Sequence, residues 1–553
     1  MINFALASDV VQAYINYRNN LLIEQPQDFD SDKAIKSMLI HPKQRAKFLG
    51  KAVWDRPTLE NAKEYTTSEG HFKIHYTTTG YNAVDSIITN IYNIPDWVYE
   101  TGKTAERAYR ILVDTLKFQP PPSDNNIDGG KIDIFIKNWG GSYYGMTYPE
   151  DEVISTSRRY DWTSYMVIDN DYVESGYFAQ GFDALHVTVA HEFFHMIQLG
   201  YNWWVSNGLP GVSSYNGDRY FLEWCSVWFE ERAYPKVNDY YNYLYDYFYY
   251  PSYSMWSNQY WYALEIFLRF ILDRYGEELL VKIWDKIKYK YAFQAFEEVM
   301  SDENEVELSH VWNEFCRSCY YTGQRFDENL ALSSDAKDFP LLEFPYENDF
   351  VLIDEVILTT NAKPFATIPF RVTFEKNQFI GIRKPKEIND SFIGSYIFDL
   401  FFSNDITSGL SFSNDLFIGE ARIRDTLVIF LTNTSIDSSY DFNLTVSEFP
   451  DTLQIPTKFI ALYPNPLRID AKSDFHFDIQ LGEILDCLTF YIFDLQGRRI
   501  LKKKFTAEYL NLGITSLKIS FNEIQRLNLS SSVYFMVIKA GSKRVIKKFT
   551  IIK

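Results

Sequence analysis

The stretch VTVAHEFFHMIQLGY, residues 187–201, constrains this chain more than any other. Only a helix gives His191 and His195 a common task, because at about 100° per residue two positions four apart lie within about 40° of each other on one face. Two imidazoles so placed can grip one ion. Glu192 beside them is positioned to polarise a metal-bound water, which is the mechanical content of the H-E-x-x-H pattern. His186, about 140° around the same helix, is poorly placed as a further ligand. The pattern also arises by chance, so its surroundings have to decide.

Catalytic zinc takes three protein ligands and keeps a position for water. The metzincin continuation fails here, since Gln198 and Tyr201 stand where its glycine and third histidine belong. Residues 220–235, YFLEWCSVWFEERAYP, predict a second helix with Leu222, Trp228 and Phe229 as apolar surface and Pro235 at its end. Glu223 near its start is the candidate third ligand, separated from His195 by a segment rich in Gly, Asn and Pro. Glu230, two helical turns on, shares nearly the same face and is expected to orient a ligand from behind. The competing expectation for Glu230 and Glu231 is a solvated helix end.

AHEFFHMIQ followed by FLEWCSVWFEE resembles secreted bacterial metallopeptidases of the gluzincin type, and the likeness runs through HFKIHYTTTGYNAVD, YGMTYPE, SYMVIDNDY and FCRSCYYTGQRFDE, roughly residues 70–330. The resemblance implies zinc held by His191, His195 and Glu223, with Glu192 as general base. The chain departs from the family in Trp224 and Cys225, where small residues usually follow the third ligand. A donor for the oxyanion is also needed, and Tyr262 is the candidate, with Tyr260 in reserve; most other tyrosines of residues 239–276 are expected to be scaffold or cleft wall.

Rival metal sites are weaker. His71 and His75 fall on one side of a strand by period two but have no acidic partner nearby in sequence, so a structural use is expected. Asp169–Tyr172, DNDY, offers oxygens to calcium without the EF-hand spacing. Cys316 and Cys319 read as two thiols on one buried helix face, since no second ligand pair stands near them.

The net charge of −19 argues against a nucleic-acid partner, and no apolar run reaches the roughly 18 residues of a membrane span. The start, MINFALASDVVQAYINYRNN, shows neither a basic leader nor a sustained apolar core, so no signal peptide is read there. From about residue 335 the pattern changes to short alternating strands. LYPNPLRID, YIFDLQGRRI and the final SSVYFMVIKAGSKRVIKKFTIIK resemble the C-terminal sorting domain of the type IX secretion system, over residues 455–553. That resemblance implies contact with the type IX machinery and a secreted or surface-bound product.

The expected architecture is therefore multidomain: a helical segment 1–68, possible pro-region or domain edge; an α+β zincin-like domain 69–332; a β-sandwich 335–449; and an immunoglobulin-like sorting domain 455–553. The expected function is zinc-dependent endopeptidase acting on protein or peptide. Its main rival is a surface adhesion protein with a tyrosine-rich cleft and an inactive or structural zincin domain. A glycosidase finds no locatable carboxylate pair.

Overall fold

In the computed structural model, residues 56–553 are described apart from 125–126, 142, 154–161, 203–217, 289, 305, 384–391, 401–404, 411–415, 437, 449–456, 464, 470–473, 484, 511–512 and 542. The chain is multidomain, helix-rich towards its N-terminal half and built of several sheets towards its C-terminus. It divides into two compact units: Met1–Tyr243 with Trp256–Arg269 and Glu277–Glu305, and Leu244–Met255 with Phe270–Gly276 and Val306–Lys553.

The first unit carries a five-stranded sheet of β1 (Lys63–Thr66), β2 (Phe72–Tyr76), β3 (Ile132–Ile136), β4 (Gly145–Glu152) and β5 (Trp162–Ile168), in the order β1-β2-β3-β5-β4. β2, β3 and β5 run parallel, while β1 and β4 are antiparallel to their neighbours. The central strands are near-continuous apolar runs, such as YMVI of β5, as expected for strands covered on both faces. Helices α1 (Asp96–Tyr109), α2 (Gly181–Asn202) and α3 (Arg219–Ala233) follow, with α2 packed on β4, β5, α1 and α3. α2 is buried almost all round: Leu185, Val189, Phe193, Phe194, Met196 and Ile197 are all inaccessible. His191 and His195 are only partly exposed on this helix, and groups of the protein itself meet their rings.

Two expectations shift. Of the helical segment expected over 1–68, residues 1–55 lie outside the described ones, and Lys63–Thr66 is strand β1, because it pairs with Lys73–Tyr76 of β2 as a sheet edge. The first domain was expected to reach residue 332, yet Val306 onward groups with the second unit. The reason is α7 (Leu308–Ser318), which follows α4 (Glu265–Tyr275), α5 (Glu278–Ile287) and α6 (Ala292–Asn304) and lays its face against the sandwich, Asn313 donating to Thr432 Oγ at 2.8 Å.

In the second unit β6 (Asp349–Leu352), β8 (Thr367–Phe374), β10 (Phe392–Leu400), β11 (Asp405–Leu410) and β13 (Thr426–Asn433) form one sheet, and β7 (Glu355–Ala362), β9 (Gln378–Arg383), β12 (Leu416–Ala421) and β14 (Tyr440–Glu448) a second. Inward residues of both, among them Phe370, Ile429, Leu358 and Leu444, share one core. The remaining strands, β15 (Lys458–Tyr463), β17 (Phe475–Leu481) and β20 (Gly513–Ile519) in one sheet and β16 (Leu467–Arg468), β18 (Cys487–Phe493), β19 (Arg499–Thr506), β21 (Ser532–Ala540) and β22 (Lys543–Ile552) in another, enclose a separate core around Phe477, Phe490, Ile538 and Phe549.

Candidate metal centre

His191 and His195 lie one turn apart on α2 with ring centroids 4.6 Å apart, and Glu223 on α3 closes the triangle. Glu223 Oε2 is 3.2 Å from His191 Nε2 and 3.5 Å from His195 Nε2. What makes the cluster informative is the other side of each ring. His191 Nδ1 is 2.6 Å from Glu230 Oε1, so Nδ1 carries a proton towards a carboxylate. His195 Nδ1 is 2.7 Å from Gln198 Oε1, and the Gln198 amide is oriented by donating Nε2–H to the Leu222 carbonyl at 3.0 Å. Ser226 Oγ adds a 3.3 Å contact to the same Nδ1.

With both Nδ1 atoms engaged, two Nε2 atoms converge on one carboxylate oxygen, and Glu223 Oε2 is buried without an aligned hydrogen bond. A buried carboxylate oxygen in that condition is costly unless a positive charge sits with it. The electrostatics ask for that charge. Burial lowers the pKa of His191, yet the carboxylates of Glu223 and Glu230 beside it outweigh this and push it well above its ordinary value. Burial raises Glu223, but the charges of His195 and His191 hold its carboxyl far below the usual range. A single proton answers only one of the two Nε2 atoms; a divalent cation answers both. Two imidazoles and one carboxylate, with their ligand atoms within 4.8 Å of one another, are a donor set of the kind zinc takes.

Glu192 is nearly buried at 6% exposure, and the Thr147 hydroxyl of β4 donates to its Oε2 at 2.7 Å. Gly145 makes this approach possible. A Cβ there would lie 2.7 Å from Thr188 Cγ2 and 2.9 Å from Glu192 Cγ, so any side chain would force Thr188 or Glu192 out of its present position. The cleft that opens in front of His191 and Glu192 measures about 290 Å³. Tyr262 lines it, three residues before α4 begins, with its ring 6.3 Å from that of His191. The charges of Glu223 and then burial raise the Tyr262 phenol well above its ordinary pKa, so it remains a proton donor at neutral pH. Tyr260 is fully buried and is not part of the cleft wall.

Glu230 and Glu231 are not a solvated helix end: they are 6% and 8% exposed. The end of α3 turns inward because Glu230 is drawn to His191, and Glu231 lies near Arg269 of α4. Burial pushes their carboxyls up to about 7 and about 8 respectively, against the pull of His191 on the first and Arg269 on the second. Trp224 and Cys225, the departures from the family pattern, are wholly inaccessible, and the Trp224 ring packs against Phe267.

His71 and His75 do not form a pair. His71 Nδ1 is bonded to Glu106 at 2.7 Å and His75 Nε2 to Asp133 at 2.7 Å. His186 meets Glu100 at 3.0 Å and stacks on Tyr234. Asp169, Asp171 and Glu174 come close enough to share an ion, but both oxygens of Asp169 already accept hydrogen bonds, Oδ1 from Asp171 and Tyr172 and Oδ2 from Trp139 and Tyr177, which builds the turn. Cys316 and Cys319 are buried free thiols, as expected. Reading the sequence missed Gln198, Ser226, Thr147 and Gly145. Gln198 had a signal, one amide three residues after His195 on the same helix; the others depend on which strand and helix face α2.

Comparison with known proteins bears on two parts of the chain. Residues 461–553 match the secretion system C-terminal sorting domain. The protein is secreted or held at the cell surface, and its tail implies contact with the type IX secretion machinery. Residues 51–301 match DUF6055, a family of unknown function. No curated protein matches. Among solved structures, β-glucuronidase from Parabacteroides merdae is 11% identical, over 35% of this chain and 29% of that one, with a TM-score of 0.14. The adhesin domain of Epf from Streptococcus pyogenes is 11% identical over 36% of this chain and 78% of that one, at 0.13. The glycoside hydrolase domain of Endo-D from Streptococcus pneumoniae is 13% identical over 35% and 33%, at 0.12. The chain spans less than a third of the glucuronidase's length, and likenesses at these TM-scores carry no argument.

Proposed function

We propose that this secreted protein is a zinc-dependent endopeptidase with a zincin-like catalytic domain. The observation that carries the reading is the convergence of His191 Nε2, His195 Nε2 and Glu223 Oε2, with each imidazole backed at Nδ1 so that its Nε2 faces the carboxylate. His191, His195 and Glu223 would hold the zinc, which would supply Lewis acidity to the cleft. Glu192, held by Thr147, takes the proton from the attacking water on its carboxylate and passes it to the departing amine nitrogen. The Tyr262 hydroxyl donates to the oxygen of the reacting carbonyl. Glu230 and Gln198 keep the imidazole rings in place throughout.

An extended peptide suits the surroundings. β4 is the terminal strand of its sheet among the described residues and passes directly beside Glu192, so its outer backbone groups are available to pair with a substrate strand. Against the adhesion alternative stands Glu192 itself, since a structural zinc has no use for an acid held next to its histidines. The test is metal analysis of the purified chain together with casein and peptide hydrolysis. One equivalent of zinc and chelator-sensitive cleavage are expected; a chain that binds zinc stoichiometrically yet cleaves nothing would leave the metal site and sink the peptidase.

A further inference from the structure

The cleft in front of His191 and Glu192 also speaks to what enters it. Its wall includes Tyr143, Tyr144, Tyr243 and Tyr262 with the carboxylates of Glu230 and Asp239, and among the described residues no lysine or arginine. Glu230 is committed to His191. Asp239 is not so committed. It follows Asn238, whose left-handed backbone at φ 56° turns the chain after α3, and it is 5% exposed. Its oxygens accept from Ala179 N at 3.2 Å, Tyr243 Oη at 3.3 Å and Asn242 Nδ2 at 3.5 Å. All three donors are neutral and all three contacts are long, while a carboxylate offers about four acceptor positions. Among the described residues no lysine or arginine forms an ion pair with it. The charge of His191 also acts on Asp239, but that imidazole is already engaged by Glu223 and Glu230. A buried carboxylate met otherwise by neutral donors, in a cleft wall with Tyr144 and Tyr243, is an environment that favours a cation.

We propose that Asp239, with the rings of Tyr144 and Tyr243, forms a substrate subsite for a cationic group next to the scissile bond. That group is the ammonium or guanidinium of a Lys or Arg side chain, or the free amine of a peptide N-terminus. The proposal rests on the peptidase reading and names the substrate class for the same cleft.

The experiment is cleavage of a peptide set by the zinc-loaded full chain, read by mass spectrometry. Each peptide carries Lys, Arg, norleucine, citrulline or Glu at the positions flanking the scissile bond, in free and N-acetylated forms. Cleavage beside Lys or Arg at least about tenfold above norleucine and citrulline is expected, with Glu disfavoured. Persistence in acetylated peptides assigns the subsite to a side chain, whereas dependence on the free amine assigns it to the N-terminus. Indifference to charge overturns the subsite and leaves the peptidase reading standing. If nothing is cleaved the peptidase reading fails, and calorimetric affinities for the Lys and norleucine peptides decide: equal values overturn the subsite too. In Asp239→Asn the Lys-to-norleucine ratio should fall about tenfold, mainly through KM, with zinc content as the folding control. An unchanged ratio in a zinc-loaded variant also overturns the proposal; should the variant not fold, the wild-type profile decides.

Discussion

Two histidine–carboxylate clusters in the first unit look alike by distance and behave differently. His191, His195 and Glu223 form one; Glu69, His71 and Glu106 form the other, again with ligand atoms within 4.8 Å. In the second, Glu106 accepts from Thr67 Oγ and from His71 N with one oxygen, and from His71 Nδ1 with the other. The ring stacks on Tyr109 at 3.9 Å, and the circuit is closed by hydrogen bonds alone. In the first, the bonds made by Glu230 and Gln198 point the remaining lone pairs at one another and leave Glu223 Oε2 unsatisfied. Proximity of ligating groups therefore says little. On the proposed reading, what would separate a metal centre from a structural ion pair is whether the hydrogen bonds behind the ligands complete the arrangement or leave it lacking a charge.

The comparison can be broken most forcefully at Glu192. Glu192→Gln keeps shape and zinc but cannot take a proton, so hydrolysis should fall by about 100- to 10,000-fold at unchanged metal content. Cleavage at the wild-type rate would assign water activation to another group. Next in size, Glu223→Ala should lower zinc affinity by more than the roughly 10- to 100-fold typical of losing a group behind a ligand. Glu106→Gln should leave zinc stoichiometry untouched and instead cost about 1–3 kcal/mol of stability, read by denaturant titration, because it breaks the buried bonds to Thr67 and His71. Zinc loss in Glu106→Gln would erase the distinction between the two clusters. Glu230→Gln should weaken zinc by about 10- to 100-fold, measured by competition with a chelator, since an amide orients His191 without its charge.

A third histidine sharpens the point from the second unit. Burial holds His476 of β17 down to about 4, against the opposing charge of Asp474, with Lys518, Asp327 and Arg317 also acting on it. The folded state then binds its proton less readily than the unfolded chain, whose imidazole titrates near 6.5. The stability present at pH 7 should therefore be lost as the pH falls from about 6.5 through 4, by on the order of 3 kcal/mol. Chemical denaturation at pH 7 and pH 4.5 checks this, and His476→Asn should flatten the difference.

The legibility of these features follows from their range along the chain. The H-E-x-x-H helix was readable because its information lies within one helical turn, and Glu223 because it stands near the start of the next helix. The two-core strand-rich region announced itself through period-two alternation. Tyr262 was reachable only by resemblance, and Glu230 and Glu231 were ambiguous because a run of acids at a helix end looks the same whether water or a histidine receives it. Thr147 and Gly145 were opaque: β4 meets α2 across a sheet order, β3-β5-β4, that no local pattern encodes.

Gly145 has a consequence at the level of the gene. Every single-nucleotide missense change in a glycine codon introduces a residue with a Cβ, and at this position even that one carbon would sit 2.7 Å from Thr188. Each such change therefore forces Thr188 or Glu192 to shift, although the glycine carries no reactive group. The spacing between the edge strand and the acid of the cleft is written in the absence of an atom, and mutation can reach it only by addition.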